Sequence, residues 1–259
     1  MADSFLSEIW KRRSFVILLA FNDVRIRYRN SALGFLWSFL EPLLMLGVLY
    51  FVFTNVFKNT IQNFPLYLLL GLVIWYMFSR ATSLGQTSLL DKAGIIQKVY
   101  FRRELIVLSS CLTSFIMMCF EFIAFAFFVV VFHFVPPMTI VLLPLLLIDL
   151  LVLSFGASLI LSPLTVYFRD IKFIWQVALQ AGFFLTPIFY KLDIFPENIK
   201  KILEVNPLVP ILDTARDLTL YGTLPTALEV LYIVISTAVI FTVGYLVFRF
   251  KDKRLVEEI

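Results

Sequence analysis

The sequence predicts an all-α integral membrane protein. Three observations carry that expectation: an apolar composition, six apolar stretches near spanning length, and basic residues gathered to one side of them. Hydrophobic residues are 61% of the 259, aromatic residues 17%, and mean hydropathy is +0.93. That leaves too little polar surface to coat a soluble domain. A spanning helix needs about 20 mainly apolar residues at about 1.5 Å each, and the chain reads as one transmembrane domain built from such helices.

Residues 1–32 read as an amphipathic helix lying on the cytoplasmic interface. Ile17, Phe21, Val24 and Tyr28 recur at helical spacing, Arg25 and Arg29 share another face, and Asp23 stands four residues before Arg27, where the two can pair. Such a helix serves either as a basic anchor or as a belt that also seats a partner. Residues 33–190 hold five spans, at Leu33 to Phe57, Phe64 to Leu84, Leu105 to Phe134, Thr139 to Tyr167 and Phe173 to Tyr190. Residues 191–223 form an outer segment, 224–248 the sixth span and 249–259 a cytoplasmic tail.

Orientation follows from the basic residues. With the N-terminus inside, the inner segments carry 17 of the 22 Lys and Arg, Arg80, Lys92, Lys98, Arg102, Arg103, Arg169 and Lys172 among them; the outer segments carry 5. Both termini are therefore expected in the cytoplasm. The net charge of +4 is accounted for by these helix flanks facing anionic headgroups, with no call for nucleic acid. Ser14 to Phe21 is too short for a signal core and runs into NDVRIRYR.

Three acids fall within spans, Glu41, Glu121 and Asp149. Each costs about 2.5–3.5 kcal/mol at the bilayer centre, so each calls for a polar cavity or a partner. For Glu121 and Asp149 the expected partner is an interhelical hydrogen bond. Glu41 precedes Pro42, which removes a helical hydrogen bond and can bend the first span at a cytoplasmic entrance. Ser154 with Ser158, and Ala178 with Gly182, stand four apart and permit close helix approach. Cys111 and Cys119 lie in the third span as packing groups. The single histidine, His133, reads as an interfacial residue at the outer end of that span, and no metal set is visible.

The outer segment predicts two helices too short to span. Pro196 opens the first, with Ile199, Ile202 and Leu203 on one face. Asn206 and Pro207 open the second, an N-cap followed by a residue already fixed at helical φ. Leu208, Ile211, Leu212, Ala215 and Leu218 repeat at helical spacing up to Gly222. Broken backbone at membrane depth is tolerated only where protein or a water-filled cavity covers it. These helices are therefore either an outer gate or interfacial helices on an outer loop. Arg216 and Asp217 stand as a pair on the second.

The segment TPIFYKLDIFPENIKKILEVNPLVPILDTARDLTLYG resembles the region after the fifth span in membrane subunits of type-2 ABC exporters. The particular likeness is to those that move O-antigen, capsule or teichoic-acid polymers. RYRNSALGFLWSFLEPLL resembles that family's entry to its first span, QKVYFRRE its loop between spans two and three, and VYFRDIKFIWQ its turn before span five. The resemblance covers nearly the whole chain. One departure is Arg102, where relatives carry proline in Phe-Pro-Arg-Glu.

The resemblance implies a permease that is not itself an enzyme: a homodimer enclosing a path for a lipid-linked polysaccharide, with two separate ATPase subunits that bind ATP and magnesium. No glycine is followed by lysine, so a phosphate-cradling GxxxxGK[ST] loop is absent from this sequence. No cofactor is expected on this chain. ATPase coupling falls to Lys98, Tyr100, Phe101, Arg102, Arg103 and Glu104, and to Arg169 and Asp170 at the inner turn; a solvated loop and a structural turn are the alternatives. By the family pattern the first and fifth spans line the path, which selects Trp37, Phe39, Glu41, Tyr50, Phe183, Phe184 and Tyr190. Pro187, Asn206, Pro207, Arg216 and Asp217 are the gate residues. Three other readings compete: a type-2 exporter of a small lipid or drug, a secondary transporter, and an intramembrane glycolipid transferase, for which Asp213 with Asp217 is the nearest carboxylate pair.

Overall fold

A computed structural model describes residues 5–29, 33–55, 61–98 and 101–258, with backbone alone at 5, 6, 35 and 253–258. The described residues form helices and connecting turns, with no strand among them. In chain order the helices are α1 (Phe5–Lys11), α2 (Arg13–Tyr28), α3 (Trp37–Asn55), α4 (Phe64–Asp91), α5 (Ala93–Ile96) and α6 (Glu104–Val131). They continue with α7 (Leu143–Tyr167), α8 (Ile171–Leu185), α9 (Glu197–Glu204), α10 (Leu208–Arg216) and α11 (Ala227–Glu258). Short 3₁₀ turns precede α3 and α7, and a π turn, Asp217–Tyr221, follows α10.

Five helices are long and apolar enough to cross a membrane: α3, α4, α6, α7 with its lead-in, and α11. The sixth apolar helix, α8, has 15 residues and so measures about 22 Å, short of a hydrocarbon core about 30 Å thick. It was expected to run to Tyr190 and stops at Leu185 instead. Pro187 lacks an N–H and pushes the residue before it out of helical geometry, and Thr186 has ψ 135°. At the C-terminus the expected span and tail are one helix of 32 residues, about 48 Å long.

α4 is the pillar of the bundle. Of its apolar window 78% is buried, against 17% for α3 and 17% for α11. It packs on α6 and α7, while α11 packs chiefly on α7 and α2 on α6. Small residues set these seams, because without side chains between them the backbones approach closely. A Cβ on Gly85 would lie 2.4 Å from Ser158 Oγ on α7; one on Gly244 would lie 2.2 Å from Gly156 O, and one on Gly156 would lie 2.7 Å from Phe241 Cα. Ser158 Oγ donates to Ser154 O at 2.7 Å, and the buried Cys111 thiol donates to Ser158 Oγ at 3.4 Å. Cys119, one face further round, is exposed.

The N-terminal helix breaks at Arg12, and α2 turns a different face inward from the one expected. It buries Val16, Leu19, Ala20 and Val24, leaving Ile17 and Phe21 exposed. Small Ala20 lets α6 come close enough for Thr113 Oγ1 to donate to Ala20 O at 3.3 Å. Asp23 pairs with Lys92 at 2.6 Å rather than with Arg27, and Lys92 also donates to Ser109 and Ser110 of α6. Tertiary packing overrides the local i,i+4 pairing, which is worth only a few tenths of a kcal/mol.

The intramembrane acids resolve into two that accept a hydrogen bond from a neighbouring helix and one that is exposed. Glu121 is fully buried and takes a hydrogen bond from Arg80 Nη2. Arg80, expected among the inner flank charges, lies buried inside α4 because Glu121 makes it tolerable there. Asp149 accepts from Thr237 Oγ1 at 2.9 Å, joining α7 to α11. Glu41 is exposed on α3. Replacing Glu121 with alanine strands a buried guanidinium and is expected to cost about 3–5 kcal/mol, whereas Arg80→Met with Glu121→Leu should recover most of that loss. Thermal unfolding in detergent measures both; a double variant no more stable than the single would refute the pairing.

Candidate functional site

The predicted site residues gather at opposite ends of the bundle; α3 and α8 each pack on α4. At the end away from the chain termini, α8 gives way to a turn and two short helices. Thr186, Pro187, Ile188 and Phe189 are buried although none is helical. Their polar groups are therefore bonded one by one. Thr186 N donates to Gly182 O at 2.8 Å, Ile188 N to Thr186 O at 2.7 Å, and Asn206 Nδ2 to Thr186 Oγ1 at 3.1 Å. The other face of the same amide accepts from Leu208 N at 3.1 Å, so Asn206 caps α10 and ties it to the end of α8. Pro196 immediately precedes α9 rather than taking its first position.

Arg216 is the centre of this hairpin. It is 1% exposed; its Nη2 donates to Ile188 O at 2.8 Å, its guanidinium carbon lies 3.5 Å from the Tyr67 ring centroid, and its Nη1 reaches Asp213 Oδ1 at 3.4 Å. It does not pair with Asp217, the adjacent residue that points about 100° further round the helix. Asp217 begins the π turn instead, and its carbonyl accepts from Gly222 N and Thr223 N at 2.8 and 3.2 Å. Gly222 sits at φ +74°, a conformation that suits glycine and closes the turn. Burial lowers the Arg216 pKa from its ordinary value, with Tyr67 and Asp213 opposing the shift. Gly71 of α4 makes room, because a Cβ there would lie 2.9 Å from Arg216 Nη2 and 3.0 Å from Ile188 O.

Around the hairpin the aromatics interlock. Phe189 lies 4.8 Å from Phe53, 5.8 Å from Phe183, 6.1 Å from Phe184 and 5.2 Å from Tyr190. Tyr190 OH donates to Phe184 O, and Tyr67 OH donates to Tyr190 O, both at 2.8 Å. Tyr50 stacks on Phe64 at 6.3 Å. Trp75 contacts Phe183 at 6.0 Å and fills the notch above Gly182, where a Cβ would lie 2.9 Å away. Of the expected path residues, Tyr50, Phe183, Phe184 and Tyr190 thus belong to this end. Phe184 remains 66% exposed, which leaves a ring face open along α8.

Trp37 and Glu41 lie near the other end. With Arg27, Tyr28, Leu44, Met45, Val48 and Tyr76 they line a groove of about 700 Å³. Phe39, half-buried and two positions from both Trp37 and Glu41, does not line it. About 20 Å of helix separates Trp37 from Tyr50.

Of the expected coupling residues, Lys98 is exposed, and so are Arg169 and Asp170 at the turn into α8. Tyr100 lies outside the described residues. Phe101 turns inward and meets the Phe15 ring of α2 at 5.1 Å. Arg102 is half-buried, Arg103 is bonded to Asp252 of α11, and Glu104 is 1% exposed. Phe101 and Glu104 therefore cannot belong to an outward docking face, because the start of α6 is packed beneath α2 and α11.

The profile of the family described as "ABC-2 type transporter" matches residues 15–220. The chain belongs to that family. Relatives of this ABC-2 transporter include an O-antigen export system permease protein RfbA of Klebsiella pneumoniae, 34% identical over 248 residues, with 93% of each chain covered. A protein of the same description from Myxococcus xanthus is 27% identical, covering 97% of this chain and 98% of its own. The polysialic acid transport protein KpsM of Escherichia coli is 23% identical, covering 92% and 93%. The ABC-2 transporter is thus a multi-pass membrane transport subunit.

Sequence reasoning missed Tyr67, Gly71 and Phe189, the residues that hold the hairpin in this transporter. The signal available was a tyrosine and a glycine four apart at the start of a span, which has no meaning until Arg216 arrives from 145 residues away. Arg216→Ala removes a hydrogen bond worth about 0.5–1.5 kcal/mol and a cation–π contact worth about 2 when desolvated. The hairpin should then loosen. A cysteine placed at Ile188, protected from membrane-impermeant maleimide in the parent protein, should become labelled in Arg216→Ala and only weakly so in Tyr67→Phe; equal protection throughout would contradict the clamp.

Proposed function

We propose that this chain is the permease of an exporter that moves a lipid-linked polysaccharide across the inner or plasma membrane. It works as a homodimer with two separate ATPase subunits, both termini facing the cytoplasm. The carrying observation is the exposure of aromatic rings on α3 and α8, Trp37 at 45%, Tyr50 at 42% and Phe184 at 66%, on two helices that each pack on α4. Sugars present apolar ring faces with hydroxyls at their edges, so rings such as Trp37, Tyr50, Phe184 and Tyr190 can receive successive units without gripping any one. The names of the relatives, which concern O-antigen and polysialic acid, agree with such a cargo.

A homodimer accounts for that exposed face. No residue of α8 is buried, and Phe173, Ile174, Val177 and Phe184 each stand more than 60% exposed. A second copy across this face would enclose the aromatics between two chains. ATP and magnesium belong to the partner subunits, since no glycine here precedes lysine. Lys98, Arg169 and Asp170 are the exposed side chains best placed to meet those subunits. With Arg80 set aside as buried in α4, the inner segments still hold 16 basic residues against 5, which supports a cytoplasmic position for that end, and residues 191–223 become the outer gate of a single transmembrane domain.

Co-expression with a partner ABC ATPase, in cells that make the polymer, tests the reading. Phe184→Ala with Tyr190→Ala should sharply reduce surface polymer while dimer and ATPase still co-purify; undiminished surface polymer would remove these rings from the path. Wild-type complex that exports a small lipid but no polymer would overturn the cargo.

A further inference from the structure

The last turns of α11 are bonded to both helices from which the two loops at the terminal end depart. Arg103, one residue before α6, donates from Nη1 to the Asp252 backbone carbonyl at 2.9 Å and also pairs with the Asp252 carboxylate. Tyr167, the last residue of α7, donates its hydroxyl to Lys251 O at 3.3 Å, and Lys251 Nζ lies 4.8 Å from the Tyr167 ring centroid. One turn below, Phe248 is fully buried. Residues 248–252 thus hold the start of α6 on one side and the end of α7 on the other. Residues 101–103 lead into the first of those points, and the turn at 168–170 leaves from the second.

The pair is partly buried, and a lone ion pair that water still reaches contributes little beyond about 1 kcal/mol, so stability alone is a weak reason for Arg103 to reach across 149 residues. Its geometry does more. One guanidinium nitrogen engages both a carboxylate and a carbonyl of a rigid helix, which fixes position as well as distance. α11 is in turn locked to α7 by backbone contact at Gly156 and Gly244. A push on residues 101–103 therefore has a continuous mechanical route through Arg103 and Asp252 into α11 and α7.

We propose that the C-terminal end of α11 is a strut that couples the two inner loops, with Arg103 and Asp252 as its positioning residues. On the reading that an ATPase docks on those loops, Arg103 does not touch the partner. It transmits the partner's movement and holds both docking segments in register. Asp252→Ala, which alters none of the exposed docking side chains, should then act like Arg103→Ala.

The test uses the full chain with its partner ATPase in lipid nanodiscs. Two quantities are read: co-purification of the ATPase, and ATP turnover of the complex relative to the free ATPase. Arg103→Ala and Asp252→Ala should each keep the ATPase bound yet lower relative turnover several-fold, and the exchange Arg103→Asp with Asp252→Arg should restore most of it. Single variants with parental turnover, or an exchange no better than either single, would overturn the strut. Turnover does not depend on the cargo, so absence of polymer export in the parent complex would count against the proposed substrate and leave this result standing.

Discussion

A turn that leaves helical geometry at membrane depth survives only if its freed backbone groups find partners within the protein. At Thr186–Phe189 that requirement falls most heavily on one carbonyl, Ile188 O, and one donor, the Arg216 guanidinium. The arginine is acceptable there because Tyr67 offers the face of its ring and Asp213 a carboxylate. Gly71 must lack a side chain for the three to meet. Remove this arrangement and the Ile188 carbonyl, freed where Pro187 ends α8, would lack its partner, α10 would lose its hold against α4, and the aromatic cluster around Phe189 would lose its fixed frame.

The same logic governs the middle of the bundle. A buried guanidinium opposite a buried carboxylate is rarely the most stabilising choice; well-packed apolar groups of similar volume often do as well or better. What Arg80 and Glu121 supply is register between α4 and α6, since neither can shift by a turn without stranding a charge. Asp149 with Thr237 does the same, more gently, for α7 and α11. Lys92 with Asp23 fixes α2 against both. Each seam of the bundle thus carries one polar pair to set its position and small residues to set its closeness.

The helical class, the apolar stretches and the capping role of Asn206 were legible because each depends on neighbours in sequence: a period of 3.6, a length, a side chain two residues from the amide it accepts from. The end of α8 was legible in principle, from Pro187, and was overridden by reading apolar character as helix through to Tyr190. The partners of Arg216, Arg103, Arg80 and Asp23 were not legible. Apart from Asp213, they lie on distant segments of the chain, and local rules offered a plausible neighbour, Asp217 for Arg216 and Arg27 for Asp23, that the fold does not use. Burial of Phe101 and Glu104 was hidden for the same reason. A polar-looking loop motif says nothing of what is stacked over it.

The Gly156–Gly244 seam has a mechanical consequence. Two helices that touch through side chains can slide a little, because rotamers rearrange as they pass. Helices that meet backbone to backbone have nothing to rearrange, so α7 and α11 must travel as a single body. α3 and α8, which bury few residues or none, have no such bond to the remainder. If the molecule is a machine, the heavy block of α4, α6, α7 and α11 is its stator, and the two lightly held helices are the vanes that turn against it.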